Sequence, residues 1–268
     1  MISDIFFLIL GLALILVGAN ILTDGASAIA KRWGVSDLII GLTVVAFGTS
    51  APELVISLIS AIQGNAELAI GNVVGSNIFN ILVIIGVTAM VMPIKVERSI
   101  MTNEIPLVIL SSLALLVMGN TPLLDGASVM ALTRSDGIVL LLFFMIFMRY
   151  TFAQAKTGVQ SGDEDNTPTK AMPMWKAVMW VIGGLAALIY GGDRFVAGAS
   201  GIASLLGVSD AIIALTIVAA GTSLPELATS VTAALKGKTG IAIGNVIGSN
   251  IFNCLLYTSD AADDSLRV

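Results

Sequence analysis

The amino-acid sequence contains one long segment twice. Residues 17–80 align without a gap on residues 190–253, at a constant offset of 173 positions. Two motifs rich in Pro, Glu, Asn and Ser recur at this offset: GTSAPEL at 48–54 with GTSLPEL at 221–227, and GNVVGSNIFN at 71–80 with GNVIGSNIFN at 244–253. Generic membrane composition does not hold such residues in register over 64 positions. The fold is therefore predicted to consist of two related halves.

Long apolar segments place both halves in a lipid bilayer. The chain is 56% hydrophobic and 12% charged, with a mean hydropathy of +0.97. About 20 apolar residues span a hydrocarbon core of ~30 Å. The predicted spans are 4–22, 38–62, 68–92, 104–119, 136–152, 176–192, 208–235 and one that starts near 240. The predicted fold class is all-α transmembrane, with about eight spans in this chain.

The two halves are predicted to have opposite orientations in the membrane. Five spans fill the first copy, and an odd number makes the second copy enter from the other side, which gives an inverted-topology repeat. With the N-terminus outside, the cytoplasmic loops carry ten basic residues: Lys31, Arg32, Lys95, Arg98, Arg149, Lys156, Lys170, Lys176, Lys236 and Lys238. The outer loops carry Arg134 and Arg194. This distribution fits the positive-inside rule.

Composition changes along the chain predict four regions. They are a first transmembrane repeat at 1–152, a cytoplasmic linker at 153–175, a second transmembrane repeat at 176–253, and a tail at 254–268. The first span begins MISD without a basic segment, which favours a true span over a signal peptide. The linker contains Asp163, Glu164 and Asp165, which we interpret as a solvated segment, with a regulatory cation site as the alternative.

Residue usage excludes several kinds of site. The chain has a single cysteine, Cys254, and no histidine. An intramolecular disulfide and the usual zinc sites are therefore excluded. No cofactor and no enzyme activity are predicted, and hard-cation chemistry with oxygen ligands remains.

Two glutamates lie in the middle of predicted spans. Glu53 is the only ionisable residue of 38–62, and Glu226 is the only one of 211–235. An acidic group at the bilayer centre costs about 2.5 to 3.5 kcal/mol, so such a carboxylate indicates a functional site. The alternative is a protonated glutamate that hydrogen-bonds a neighbouring helix.

Prolines predict that both glutamate helices are broken. Each glutamate follows a proline, and a glycine lies four residues before that proline. We expect breaks at 46–52 and 219–225, which free backbone carbonyl oxygens as possible ligands. Neighbouring hydroxyls add further oxygens: Thr49, Ser50, Thr222 and Ser223. This donor set favours Na⁺ or Ca²⁺ over Zn²⁺ or Cu²⁺.

The next span of each copy supplies a second set of polar residues. Residues four apart share a helical face, as is true of the pairs Ser76 with Asn80 and Ser249 with Asn253. The alternative for these residues is hydrogen bonding between packed helices. Small-residue pairs predict close helix packing in both copies: Gly71 with Gly75, and Gly244 with Gly248. Four further asparagines are expected to orient the broken segments: Asn72, Asn77, Asn245 and Asn250.

At these motifs the sequence resembles the calcium/cation antiporter family, especially prokaryotic sodium/calcium exchangers. The resemblance implies ten helices in two inverted halves of five, with ions bound between each broken helix and the helix that follows it. It implies Ca²⁺ and Na⁺ ligands at Glu53, Glu226, Thr49, Ser50, Ser76, Asn80, Thr222, Ser223, Ser249 and Asn253, with the backbone oxygens of Ala46 and Ala219.

Two departures from the family pattern affect the second copy. Some relatives have Asp where Asn253 stands, which favours a K⁺-independent exchanger. After Asn253 the chain reads CLLYTSDAADDSLRV instead of continuing as an apolar helix. We therefore expect a truncated repeat followed by a non-native tail.

The function expected from sequence is secondary active transport. The chain would exchange Ca²⁺ for Na⁺ across the cytoplasmic membrane by alternating access, with these ions and the lipid bilayer as partners and no nucleic acid. An H⁺/cation exchanger is the nearest alternative. A passive cation channel or a non-transporting membrane scaffold is the alternative from another class.

Overall fold

A computed structural model describes residues 1–63, 66–94, 96, 98–120, 132–157 and 172–258. Within these ranges every regular element is helical. The α-helices are α1 Ile2–Trp33, α2 Asp37–Ile40, α3 Ala46–Thr49, α4 Ala51–Ile62, α5 Ala66–Phe79, α6 Ile85–Val91, α7 Ile105–Gly119, α8 Arg134–Thr157, α9 Met174–Leu205, α10 Asp210–Ile213, α11 Ala219–Thr222, α12 Leu224–Leu235 and α13 Thr239–Phe252. Five-residue π-helical turns occupy Gly41–Val45, Asn80–Ile84, Ile100–Glu104, Ala214–Val218 and Asn253–Tyr257.

The sequence repeat is reproduced element by element. At the offset of 173 the structure pairs α2 with α10, α3 with α11, α4 with α12 and α5 with α13. The π turns after α2 and α5 also recur, after α10 and α13. Because π turns are rare and concentrate at functional sites, their duplication marks these two regions.

The first helices of the two copies pack against each other in opposite directions. A Cβ atom built on Gly11 would lie 2.4 Å from Phe195 N, and one built on Gly25 would lie 2.8 Å from Ala177 O. The start of α1 therefore contacts the end of α9, and the reverse. This antiparallel pairing is what an inverted repeat requires, and glycines allow the two backbones to approach.

Membrane-spanning helices agree with the predicted all-α class. In the described residues, six helices are long and apolar enough to cross a bilayer, and the bent pair Asp37–Thr49 with Ala51–Ser60 makes a seventh candidate. The predicted segment 208–235 forms the corresponding broken helix of the second copy, α10 to α12. The predicted spans 4–22 and 176–192 are too short, because α1 and α9 continue through less apolar residues that pack against the beginning of the other helix, Gly25 against Ala177 and Gly198 against Asp4.

The predicted region boundaries lie partly inside helices. The linker predicted at 153–175 begins within α8 and ends within α9, while 158–171 lies outside the described residues. The acidic cluster at 163–165 therefore also lies outside them. Of the predicted tail, Cys254, Leu255 and Tyr257 are buried in the same apolar cluster as Phe252, and 259–268 lies outside the described residues.

Candidate cation site

Each glutamate helix is interrupted at a single serine, which lies two residues before the proline of the motif. Ser50 separates α3 from α4 with φ −83° and ψ 10°, and Ser223 separates α11 from α12 with φ −92° and ψ 7°. In the first copy the two segments meet at an angle of 48°. The predicted breaks at 46–52 and 219–225 are therefore confirmed, since proline cannot continue the hydrogen-bond ladder of the preceding helix.

The breaks bring the two glutamates together in the interior. Glu53 and Glu226 are 1% and 0% exposed and lie in the first turns of α4 and α12. Helix N-termini carry partial positive charge, which favours a carboxylate at this position. Each carboxyl group contacts the serine that lies three residues before the other glutamate. The sequence repeat thus becomes a single site shared by both copies.

Each carboxylate is held by the serine at the other copy's break. Ser50 Oγ donates a hydrogen bond to Glu226 Oε1 at 2.8 Å, and Ser223 Oγ donates to Glu53 Oε1 at 3.1 Å. The predicted ligand Ser76 is also buried. The halves therefore complete each other, because the serine of one copy fixes the glutamate of the other.

The predicted asparagine ligands are oriented by a second exchange between the copies. Asn80 Nδ2 donates to Asn250 Oδ1 at 2.9 Å, and Asn253 Nδ2 donates to Asn77 Oδ1 at 3.0 Å. The amide nitrogens are thereby engaged, and the carbonyl oxygens of Asn80 and Asn253 are left to face other groups. Asn77 and Asn250 were expected to orient the broken segments. Instead, each accepts a hydrogen bond from the predicted asparagine ligand of the other copy.

Several buried oxygens of the site have no hydrogen-bond partner within the described part of the chain. They are Glu53 Oε2, Glu226 Oε2, Asn80 Oδ1, Asn253 Oδ1 and Ser249 Oγ. Buried polar atoms are rarely left without a partner, so each needs an explanation. Carboxylate, amide and hydroxyl oxygens are the ligands of hard cations such as Ca²⁺. The donor chemistry therefore fits a bound cation.

The remaining predicted ligands have different surroundings in the two copies. Thr49 is fully buried, and its hydroxyl lies 2.9 Å from Asn245 Oδ1. Thr222 is half-buried and donates to the Ala219 carbonyl at 3.2 Å. Ala46 is buried, whereas Ala219 is exposed. The first broken helix is therefore enclosed, and its counterpart is open.

Two serines that were not predicted as site residues bond the asparagines that contact the glutamate carbonyls. In the first copy, Asn72 Nδ2 donates to the Glu53 carbonyl at 3.2 Å and to Ser57 Oγ at 3.1 Å. The second copy repeats this arrangement with Asn245, the Glu226 carbonyl at 3.3 Å and Ser230 Oγ at 3.0 Å. The signal available in the sequence is a serine one helical turn after each glutamate, at the repeat offset. The expectation that Asn72 and Asn245 orient the broken segments is confirmed.

An apolar cavity of about 370 Å³ lies beside the breaks. Its lining includes Pro52 and Pro225, which precede the two glutamates, and the predicted ligand Thr222. Asp193 and Ile189 of α9 also line it. The cavity thus adjoins the open side of the site, where Ala219 is exposed.

Comparisons with known proteins match this chain to a family of membrane transporters. The profile of the family described as sodium/calcium exchanger protein matches residues 3–153 and 176–260. The chain is 43% identical over 258 residues to the putative antiporter CaxA of Alkalimonas amylolytica, covering 93% of this chain and 77% of the relative. It is 36% identical over 282 residues to the sodium/calcium exchanger MaX1 of Methanosarcina acetivorans, covering 94% and 81%.

A solved structure is also similar over nearly the whole chain. The sodium-calcium exchanger NCX_Mj, soaked with 2.5 mM Na⁺ and 0.1 mM Ca²⁺, superposes with a TM-score of 0.81 at 33% sequence identity. The match covers 98% of this chain and 82% of that one. The overall fold is therefore that of a known sodium-calcium exchanger.

Proposed function

The chain belongs to the sodium/calcium exchanger family of membrane transporters, and we propose that it exchanges Ca²⁺ for Na⁺ by alternating access. The observation that carries this proposal is the shared pair of buried glutamates, each held by a serine of the other copy and each with one unpartnered oxygen. The proposed ligands are the side chains of Glu53, Glu226, Thr49, Ser50, Thr222, Ser223, Ser76, Ser249, Asn80 and Asn253, with the carbonyl oxygens of Ala46 and Ala219.

The charge of the empty site explains why it would exchange ions instead of releasing them singly. When ionised, Glu53 and Glu226 place two negative charges in an interior from which water is excluded, and that arrangement is costly to enclose. One Ca²⁺ or several Na⁺ ions remove this cost. Only a loaded site then closes and reopens on the other side, so movement of one ion depends on the other.

The packing of the two copies supports one of the two conformations that such a cycle requires. A Cβ atom on Gly244 would lie 2.5 Å from Leu38 O, and one on Gly248 would lie 2.6 Å from Leu42 O, so α13 is closed against the first broken helix. The equivalent Gly71 and Gly75 would meet nothing within 4 Å. Exchange of these two arrangements between the copies would open the site to the opposite side.

The distribution of Lys and Arg residues among the loops supports an orientation of this conformation in the membrane. With the N-terminus outside and the linker at 153–175 in the cytoplasm, the closed interface faces inward and the cavity faces outward. We propose the cytoplasmic membrane as the location. The conformation described is then the outward-open one.

Ion uptake into proteoliposomes tests the coupling ion. Vesicles loaded with Na⁺ and diluted into Na⁺-free buffer at fixed pH should accumulate ⁴⁵Ca²⁺, and vesicles loaded with choline should not. Uptake that ignores Na⁺ and follows an imposed pH gradient would identify an H⁺-coupled exchanger instead. Ca²⁺ flux that needs no counter-ion and persists after Glu53→Gln and Glu226→Gln would indicate a passive channel.

A further inference from the structure

Asn245 makes contacts to both copies of the repeat at once. Its Nδ2 group bonds the Glu226 carbonyl and Ser230 in its own copy, and its Oδ1 atom lies 2.9 Å from the Thr49 hydroxyl of the other copy. Asn245 and Thr49 are both 0% exposed. Since Oδ1 is only an acceptor, the hydrogen bond must use the proton of Thr49.

The equivalent pair on the open side has a different arrangement. Asn72 keeps the same contacts in its own copy, to the Glu53 carbonyl and Ser57. Within the described residues, Thr222 donates its proton to the Ala219 carbonyl at 3.2 Å and makes no hydrogen bond to Asn72. One asparagine therefore reaches across the copies, and its counterpart does not.

The direction of the threonine proton decides what its oxygen can bind. A hydroxyl has one proton, and when its oxygen coordinates a cation that proton must go to an acceptor elsewhere. Thr49 also lies 3.4 Å from the Ala46 carbonyl, but that group belongs to the proposed ligand set. Its contact to the Val45 carbonyl, at 3.1 Å, is the ordinary helical one. Outside the proposed ligand set, Asn245 Oδ1 is the nearest acceptor, at 2.9 Å, and the one that lies on another helix.

Close packing of α13 on the first broken helix creates this contact. Gly248 lies one turn after Asn245, and a Cβ atom there would lie 2.6 Å from the Ala46 Cβ atom. Gly75, one turn after Asn72, faces open space. The hydrogen bond across the copies therefore depends on which interface is closed.

We propose that Asn245 is a positioning residue that accepts the proton of Thr49 and so turns the threonine oxygen and the Ala46 carbonyl toward the bound ion. Asn72 takes the same role for Thr222 when the opposite interface closes. Each threonine then contributes fully to ion binding only on the closed side. This inference rests on the proposed exchange function and extends it from the ligands to the residues that prepare them.

A double-mutant cycle between Thr49→Val and Asn245→Ala tests the inference. We expect each substitution to raise the half-saturating Ca²⁺ concentration about 10-fold, the scale of one lost hydrogen bond to a charged site. The double variant should be no worse than the poorer single variant, because either change removes the same hydrogen bond. The maximal rate of Na⁺-driven uptake should change less than the half-saturating concentration. Equilibrium ⁴⁵Ca²⁺ binding to purified protein provides the second measurement.

The other copy supplies a matched control. Asn72→Ala removes the same kind of contacts to its own glutamate and serine. Because Asn72 and Thr222, both among the described residues, share no hydrogen bond, the increases in Ca²⁺ dissociation constant caused by Thr222→Val and Asn72→Ala should multiply in the double variant. A multiplicative effect for Thr49 with Asn245 as well, near 100-fold in the double variant, would overturn the inference and leave Asn245 with a structural role.

A second pair of variants covers the case in which Asn245→Ala does not fold. Thr49→Ser keeps a proton to donate and should bind Ca²⁺ nearly as well as the parent chain, while Thr49→Val should not. Equal binding by these two variants would overturn the inference. Failure of the exchange proposal is separate, because it would show as an absence of Na⁺-driven Ca²⁺ uptake by the unchanged chain.

Discussion

The two copies of the repeat have nearly the same sequence and different packing. Gly244 and Gly248 lie against the backbone of the first broken helix, whereas Gly71 and Gly75 face nothing within 4 Å. Close packing was predicted for both pairs, and for Gly71 with Gly75 this prediction is wrong in the conformation described. Since the two motifs are alike, their local sequence does not account for the difference in packing.

Ion pairs are a second difference between the two sides, and this one follows from the sequence. On the closed side, Lys236 Nζ lies 2.6 Å from Asp24 Oδ1, and Lys238 Nζ lies 3.5 Å from Asp37 Oδ2. At the repeat offset, Lys236 corresponds to Gln63 and Asp24 to Ala197. The first of these pairs therefore has no counterpart at the opposite interface, and in the proposed exchange cycle it would stabilise one closed state but not the other.

Neutralising the glutamates tests whether the copies are chemically equivalent. We expect Glu53→Gln and Glu226→Gln each to lower Na⁺-driven ⁴⁵Ca²⁺ uptake by about 100-fold or more, because each removes half of the charge that offsets the cation. Uptake by proteoliposomes measures the effect. A large loss in one variant with normal uptake in the other would show that one glutamate alone carries the site.

Adding a methyl group to matched glycines tests whether the packing difference exists in solution. Gly248→Ala places a Cβ atom 2.6 Å from Leu42 O, and we expect it to destabilise the protein by about 1 to 3 kcal/mol. Gly75→Ala meets no atom within 4 Å in this state and should leave the thermal unfolding temperature almost unchanged. Thermal unfolding of both purified variants makes the comparison. Equal destabilisation would mean that both interfaces are closed alike.

Removing the serines at the breaks tests the symmetry of the carboxylate contacts. Ser50→Ala and Ser223→Ala each remove a hydrogen bond to the other copy's glutamate, so each should raise the half-saturating Ca²⁺ concentration by about 10-fold. Ser57→Ala and Ser230→Ala serve as controls, because these serines bond asparagines instead of carboxylates, and their effect should be smaller. An effect of the control variants as large as that of Ser50→Ala would argue against a direct role for the break serines.

Replacing Lys236 makes the second copy match the first at this position. We expect Lys236→Gln to destabilise the closed interface by at most about 1 kcal/mol, since both partners are partly exposed. The difference from the parent chain in thermal unfolding should shrink at high salt. Asp24→Asn should have the same effect, and the double variant should add nothing further. Additive effects would mean that Lys236 acts through its other contact, the Asn20 carbonyl.

Much of the site followed from local sequence. Proline restricts the backbone geometry of its neighbours and glycine relaxes it, so the breaks around Ser50 and Ser223 were predictable. A buried charge needs compensation wherever it lies, so Glu53 and Glu226 could be selected without a structure. The serines Ser57 and Ser230 were missed because burying a serine in a packed helix costs far less than burying a charge, so only their recurrence at the repeat offset marks them.

The sequence by itself determined that this protein has two copies of one broken-helix unit, each with a glutamate in a membrane-spanning segment and oxygen-bearing side chains beside it. Hydrophobicity, proline geometry and the cost of buried charge act locally, and they act alike on both copies. Only the tertiary structure decided that Ser50 holds Glu226, that Asn245 meets Thr49, and that one interface is closed while its counterpart is open. These features depend on which copy packs against which, and two nearly identical motifs have no local means of setting that choice.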